Sequence, residues 1–363
     1  MKHILLSVAV FCFYQIGFSQ VELTPEEQAF QDSINLVNAA NAATAESQEA
    51  YNMGISLFGQ NKMKEAVSSF DKAIAGDPNF DAAYYNKGVA QYKNNDYSGA
   101  VLTLTAMIKL NDENPKAYFQ RGLAHQKLGD LEKAGADYDQ TTFFDPKDAK
   151  AFYNGGTVLF LKKEYEDAIK KFTRCIELKP KYFEAYNDRG SCYRMMQQFD
   201  QALADYTKAG EYGPKHAFVF NNIGSVKKMM KDYEGAKNAF TKAMALDPNF
   251  YLAYNNRGAM LLEQNKLSEA TKDFDKALSI NKDYAPAYNN RGIVKHKNKD
   301  YKGAIADFDK AISLDKNYAD AYANRGASKE MNRDMDGACE DWGKGADLGS
   351  TLGKNYQSNN CEF

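Results

Sequence analysis

The 363-residue chain is poor in the residues that usually announce chemistry. It holds one tryptophan and four histidines. Past the first twenty residues, His125, His216 and His296 stand far apart, and no two share metal-ligand spacing. There is no Gly-x-Ser-x-Gly turn, phosphate loop or His-Glu-x-x-His run. Gly343-Lys344-Gly345 imitates a glycine-rich loop only in passing. These absences exclude the common catalytic motifs and predict no catalytic residue, no metal and no cofactor. Neither charge sign dominates: 46 Lys and Arg face 48 Asp and Glu, a formal net charge of −2. The clustered basic footprint of a nucleic-acid binder is missing.

Long apolar runs are also missing, except at the start. Lys2 and His3 precede a mostly apolar stretch from Ile4 to Tyr14. That stretch is shorter than the ~20 residues a bilayer span needs. Gly17 and Ser19 place small residues at −3 and −1 of a cleavage site before Gln20. The pattern predicts a signal peptide over 1–19, with an uncleaved N-terminal anchor as the alternative. Phe11 before Cys12 departs from bacterial lipoprotein processing. The expectation is an exported protein, periplasmic or secreted, with no membrane span of its own.

What the chain has is a period. Tyr254-Asn255-Asn256-Arg257-Gly258 returns 34 residues later as Tyr288 to Gly292. The same offset finds Gly at 54, 88, 122, 156, 190, 224, 258, 292 and 326, and Ala twelve residues after each. Self-similarity at such a period marks a repeat array. The nine units are 47–80, 81–114, 115–148, 149–182, 183–216, 217–250, 251–284, 285–318 and 319–352. Within 251–284, Tyr254, Gly258 and Leu261 share one helical face, and Ala270, Phe274 and Ala277 share another. Each unit therefore reads as two antiparallel helices. Gly at position 8 and Ala at position 20 let them approach, and an aromatic at 24 in eight of the nine units fills the space beside them. Pro78, Pro146, Pro180, Pro214 and Pro248, at position 32, stop the second helix.

The Tyr-x-x-x-Gly, Ala-x-x-x-Phe-x-x-Ala and terminal Pro pattern resembles the tetratricopeptide repeat (TPR) family over about 47–352. The resemblance implies an all-α, right-handed superhelical solenoid. Its first helices would line a concave groove that binds a protein or extended peptide.

One correlation is internal to the chain. Position 7 is Arg121, Arg189, Arg257, Arg291 and Arg325 in five units, and position 23 of those units is Asp137, Asp205, Asp273, Asp307 and Asp341. The other four units have neither. This predicts an Arg–Asp pair between the two helices of each of the five units.

In the family, positions 2, 5, 6, 9, 12 and 13 of the first helix face the groove. Position 6 is Asn52, Asn86, Gln120, Asn154, Asp188, Asn222, Asn256, Asn290 and Asn324. A row of carboxamides can bind a peptide main chain through both donors and acceptors, or can serve as inert helix surface; both readings stand. Position 5 is Tyr51, Tyr85, Phe119 and Tyr153, then Asn187, Asn221, Asn255 and Asn289. Position 12 changes from Phe58, Tyr92 and Phe160 to Arg194 and Lys228. The expectation is a groove that is aromatic early and polar later, unless the rings pack on the neighbouring helix. The Lys at 5 and Asn at 9 of carboxylate-clamp TPR domains are absent from every unit.

Residues 20–46 read as a helix start at Thr24-Pro25-Glu26-Glu27 followed by a linker. Residues 353–363 read as a cap and tail, with a short helix near 350–359. Four cysteines remain after cleavage. In stacked hairpins a residue at position x is level with position 63 − x counted into the next unit. Cys339 and Cys361 then fall side by side and could staple the cap. Cys175 and Cys192 fall about eight residues out of register, ~12 Å, too far for a disulfide.

Two functions fit: an exported interaction scaffold, an adaptor in a bacterial envelope complex that binds a partner in its groove, or a structural component that associates with itself.

Overall fold

A computed structural model describes Gln28 and residues 45–361. The signal peptide and the helix start at Thr24 expected from the sequence lie outside those residues. Among the described residues every regular element is an α-helix, and no helix is long and apolar enough to cross a membrane.

The described residues divide between Pro146 and Lys147 into two compact units. The first contains three helical hairpins: α1 (Ala45–Gly59) with α2 (Met63–Gly76), α3 (Asp81–Lys93) with α4 (Tyr97–Leu110), and α5 (Pro115–Lys127) with α6 (Leu131–Phe144). The second contains six: α7 (Ala149–Leu161) with α8 (Tyr165–Leu178), α9 (Phe183–Met195) with α10 (Phe199–Tyr212), α11 (Ala217–Met229) with α12 (Tyr233–Leu246), α13 (Tyr251–Glu263) with α14 (Leu267–Ile280), α15 (Ala285–Lys297) with α16 (Tyr301–Leu314), and α17 (Ala319–Met331) with α18 (Met335–Asp347). A final helix, α19 (Thr351–Asn360), starts at the N-cap Ser350 and packs on α18 and α17. Within each unit the first helices of successive hairpins also touch one another, which makes them one layer.

The hairpin core is the position-8 glycine under the position-24 side chain, a ring in eight repeats and Leu104 in the second. A Cβ at Gly258 would lie 2.7 Å from a ring carbon of Phe274, and one at Gly292 would lie 2.7 Å from the Phe308 ring. Ala270, Phe274, Ala304 and Phe308 are fully buried. At contact this close even one methyl group has no room, so glycine sets the helix separation.

The turn between the two helices recurs at position 15. Its residue has positive φ in all nine repeats, yet only repeat three spends a glycine there, Gly129. Asn61, Asn95, Lys163, Gln197, Lys231, Asn265, Lys299 and Arg333 take φ of 59–67°. Each is followed by a bond back across the helix end, such as Lys62 N–H to the Leu57 carbonyl at 2.9 Å. This is a Schellman ending whose hydrogen bonds outweigh the left-handed backbone cost. Asp96, Asp130, Asp232, Asp300 and Asp334 at position 16 then cap the second helix, accepting from the amide three residues on.

Candidate interaction surface

All five Arg–Asp pairs form. Arg189 Nε donates to Asp205 Oδ2 at 2.7 Å and its Nη2 to Oδ1 at 2.8 Å. The pairs at Arg121, Arg257, Arg291 and Arg325 have the same two-pronged geometry. The five aspartates are buried. Each arginine has a further partner, at position 25 of the preceding repeat. Nη1 reaches Thr105, Thr173 and Thr241 from Arg121, Arg189 and Arg257, and Asp275 and Asp309 from Arg291 and Arg325. Lys87, at position 7 of repeat two, keeps only this backward contact, to Asp71 at 2.7 Å. The guanidinium therefore ties neighbouring repeats as well as the two helices of one. An acceptor at position 25 of every preceding repeat was the sequence signal for it.

The position-6 row behaves differently from a free amide ladder. Asn222, Asn256, Asn290 and Asn324 each donate Nδ2 to the position-5 amide oxygen of the repeat before: Asn187, Asn221, Asn255 and Asn289, at 2.9–3.1 Å. Asn255 and Asn289 also donate to Asn256 and Asn290, at 3.4 and 3.5 Å. A continuous amide chain thus runs from Asn324 back to Asn221. At Tyr51 the hydroxyl is the acceptor, and at Tyr153 the direction reverses. Asn86 Nδ2 donates to Tyr51 Oη at 2.7 Å, and Tyr153 Oη donates to Asp188 Oδ2 at 2.8 Å. Asn52, with no repeat before it, accepts from Gln48 and is exposed. Gln120 is buried and Asn154 half-buried.

This corrects the reading of position 5. Tyr51 and Tyr85 are 0% and 1% exposed, and Asn187, Asn221, Asn255 and Asn289 are buried too. Phe119 and Tyr153 are half-buried, against Tyr138 at 5.8 Å and against Phe172 and Tyr182 at 5.8 and 5.1 Å. Tyr51 and the four asparagines accept from the position-6 amide of the next repeat, whereas Tyr153 donates to the position-6 carboxylate. The change near the fifth repeat is a change of packing chemistry, not of groove lining. Asp188 carries the consequence: burial raises its carboxyl above the ordinary carboxylate range, opposed by the Tyr153 and Asn187 hydrogen bonds.

What remains open on the first helices lies further along them. Lys228 is half-buried and pairs with Glu263 of the next repeat at 3.4 Å. Arg194 is half-buried beside the Tyr206 hydroxyl. Next to these, position 13 presents Leu161, Met195 and Met229 in three successive repeats, 53%, 46% and 48% exposed. The family pattern places position 13 in the groove, and the stacked repeats expose this apolar run along it.

Cys339 and Cys361 form a disulfide with Cα atoms 5.8 Å apart. Cys175 and Cys192 are free and buried, and burial pushes each thiol up to about 12. Thiols held protonated in this way are poor nucleophiles. Desolvation lowers the imidazole pKa of the buried His125 and of the half-buried His296. Among the described residues no group of three His, Cys, Asp or Glu side chains could hold a metal ion.

Stacked hairpins of this period, joined by side-chain ladders from one repeat to the next, define a helical-repeat scaffold. Tetratricopeptide repeat models match residues 88–149, 119–183, 171–204, 219–250, 251–284 and 285–318, and a TPR repeat model matches 54–95. The chain belongs to the tetratricopeptide repeat family, whose fold binds proteins or peptides. It is similar in fold to the Cut9–Hcn1 hetero-tetramer of the APC/C, at 14% identity and TM-score 0.58, covering 92% of this chain and 81% of that one. It is also similar to PilF of Pseudomonas aeruginosa, at 20% identity and TM-score 0.51, covering 59% and 99%. YrrB, described as a TPR protein with an unusual peptide-binding site, matches at 23% identity and TM-score 0.43 over 51% and 95%. No protein of curated function matches the chain.

Proposed function

We propose that the protein is an exported scaffold, an adaptor of a bacterial envelope complex, and that it binds a partner protein along its first helices. The row formed by Leu161, Met195 and Met229 carries this reading. Aligned, exposed apolar side chains mark interaction surfaces. Thioethers adapt to a partner's shape better than branched side chains do. Arg194 and Lys228, adjacent in sequence to the two methionines, add charge selectivity. The amide row serves the scaffold first, and each carboxamide keeps hydrogen-bonding capacity beyond its ladder bonds. The signal peptide supports export, and a disulfide suits an oxidising compartment.

The reading is tested by photo-crosslinking in intact cells. A crosslinker at position 195 or 229 should capture a defined partner, and one at Lys276 on the second-helix side should not. Equal capture from all three would count against a first-helix site. Mass spectrometry of the mature protein should find Gln20 at its N-terminus; an intact Met1 would remove the export claim.

A further inference from the structure

The first compact unit has a cavity of about 310 Å³ at the edge where first helices turn into second helices. Its walls are Lys93 and Lys127, Tyr92 and Tyr97, and the turn residues Asn61 and Asn95. The two lysines hold position 13 in adjacent repeats, each the last residue of its first helix. Neither has a carboxylate within ion-pair distance among the described residues; Lys93 Nζ sits 4.9 Å over the Phe58 ring. The acids nearest in sequence are already used. Asp96 accepts from Gly99 N–H at 2.9 Å and Gln91 Nε2 at 3.3 Å. Asp130 accepts from Lys133 N–H at 3.2 Å and pairs with Lys133 Nζ at 2.8 Å.

A cation in a last helical turn offsets the helix dipole, and that accounts for either lysine alone. It does not account for the rest of the wall. Tyr92 and Tyr97 meet edge to face at 5.4 Å, and Tyr97 Oη donates to Asn95 Oδ1 at 2.8 Å. The left-handed turns at Asn61 and Asn95 put two carboxamides on the same cavity. Two uncompensated ammonium groups, flanked by aromatic faces and main-chain-type hydrogen-bonding groups, complement an anionic peptide.

We infer that this cavity binds two carboxylate side chains, three residues apart, of an extended acidic segment. The spacing follows from the scaffold. Neighbouring packed helices lie roughly 8–10 Å apart. An extended polyproline-type segment brings residues i and i+3 to one face about 9 Å apart. The inference rests on the reading of the protein as a peptide-binding scaffold and names the chemistry of one segment it takes.

The test is a fluorescence-anisotropy titration of the mature full chain. The probe is a labelled proline-rich dodecapeptide with glutamates at i and i+3. Replacing both glutamates by glutamine, or making K93A together with K127A, should each weaken binding about tenfold. Peptide with adjacent glutamates should bind more weakly than the spaced one. The control pair K72A and K109A, on exposed faces of second helices, should leave binding unchanged, and circular dichroism should show all variants folded. Equal affinity of the K93A/K127A variant and the wild type would overturn the inference. So would equal loss in the control pair, or displacement by millimolar inorganic phosphate as effective as by excess peptide. Capture by crosslinkers at 195 and 229 does not depend on this cavity, so a failed titration with intact capture removes only this inference.

Discussion

Arg291 holds two aspartates at once: Asp307 of its own repeat through Nε and Nη2 at 2.8 and 2.7 Å, and Asp275 of the repeat before through Nη1 at 2.7 Å. Asp307 has a second cation, Lys295 Nζ at 2.8 Å. Among the described residues no lysine pairs with Asp205, the partner of Arg189. Breaking a buried pair by removing one partner costs about 3–5 kcal/mol, because a buried charge is left uncompensated. Arg189→Leu should therefore destabilise more than Arg291→Leu, and adding Asp205→Leu should restore part of the loss. Urea unfolding of the single and double variants reads this directly. Equal losses for the two arginines would show that Lys295 gives Asp307 no cover.

Asp188 is the single acid in a row of amides. Its folded-state pKa is raised by burial, so the folded protein holds its proton more tightly than the unfolded chain does. That contribution is fully present below the unfolded carboxylate pKa and is lost as pH rises through the folded value. Asp188→Asn should stabilise the protein at pH 7, and the advantage should shrink as pH is lowered until Asp188 is protonated. Thermal unfolding of both proteins from pH 7 to pH 4 checks the sign. An advantage that grows toward acid would contradict the assignment.

Eight of the nine hairpin turns place a side-chain-bearing residue in the left-handed region that glycine occupies at position 129. The strain is about 1–2 kcal/mol per residue, offset in part by the greater freedom of glycine in the unfolded chain. Lys231→Gly should stabilise by about 0.5–1 kcal/mol, with Gly129→Ala as its mirror, destabilising by a similar amount. Denaturant midpoints at fixed slope measure both.

The cap is held by three independent contacts. Cys361 bridges to Cys339, Tyr356 stacks on Trp342 at 5.1 Å, and Ser350 Oγ donates to Asp320 Oδ1 at 2.8 Å. Closing a loop of this length contributes about 3 kcal/mol in the chain-entropy account. Cys361→Ser should raise hydrogen exchange across 351–360 while leaving 183–284 unchanged. Unchanged exchange in the cap would mean that Trp342 and Ser350 hold it alone.

The hairpin was legible from residue spacing alone. A period of 34 residues fixes which residues share a helix face, and glycine at 8 facing an aromatic at 24 needs no knowledge of neighbouring repeats. The same holds for the Arg–Asp pairs, because both partners lie in one unit and vary together. The register of the cap cysteines follows from the same antiparallel geometry. What passes between repeats is visible only in the folded stack. The bond from Asn256 to Asn221 spans 35 residues, and the one from Arg291 to Asp275 depends on how a hairpin leans on the one before it. Helical spacing says which way a side chain leaves its own axis, not what stands opposite it. For that reason the position-5 tyrosines and asparagines looked like groove lining and are buried or, at Tyr153, half-buried, while the exposed run of Leu161, Met195 and Met229 emerged only once the repeats were stacked.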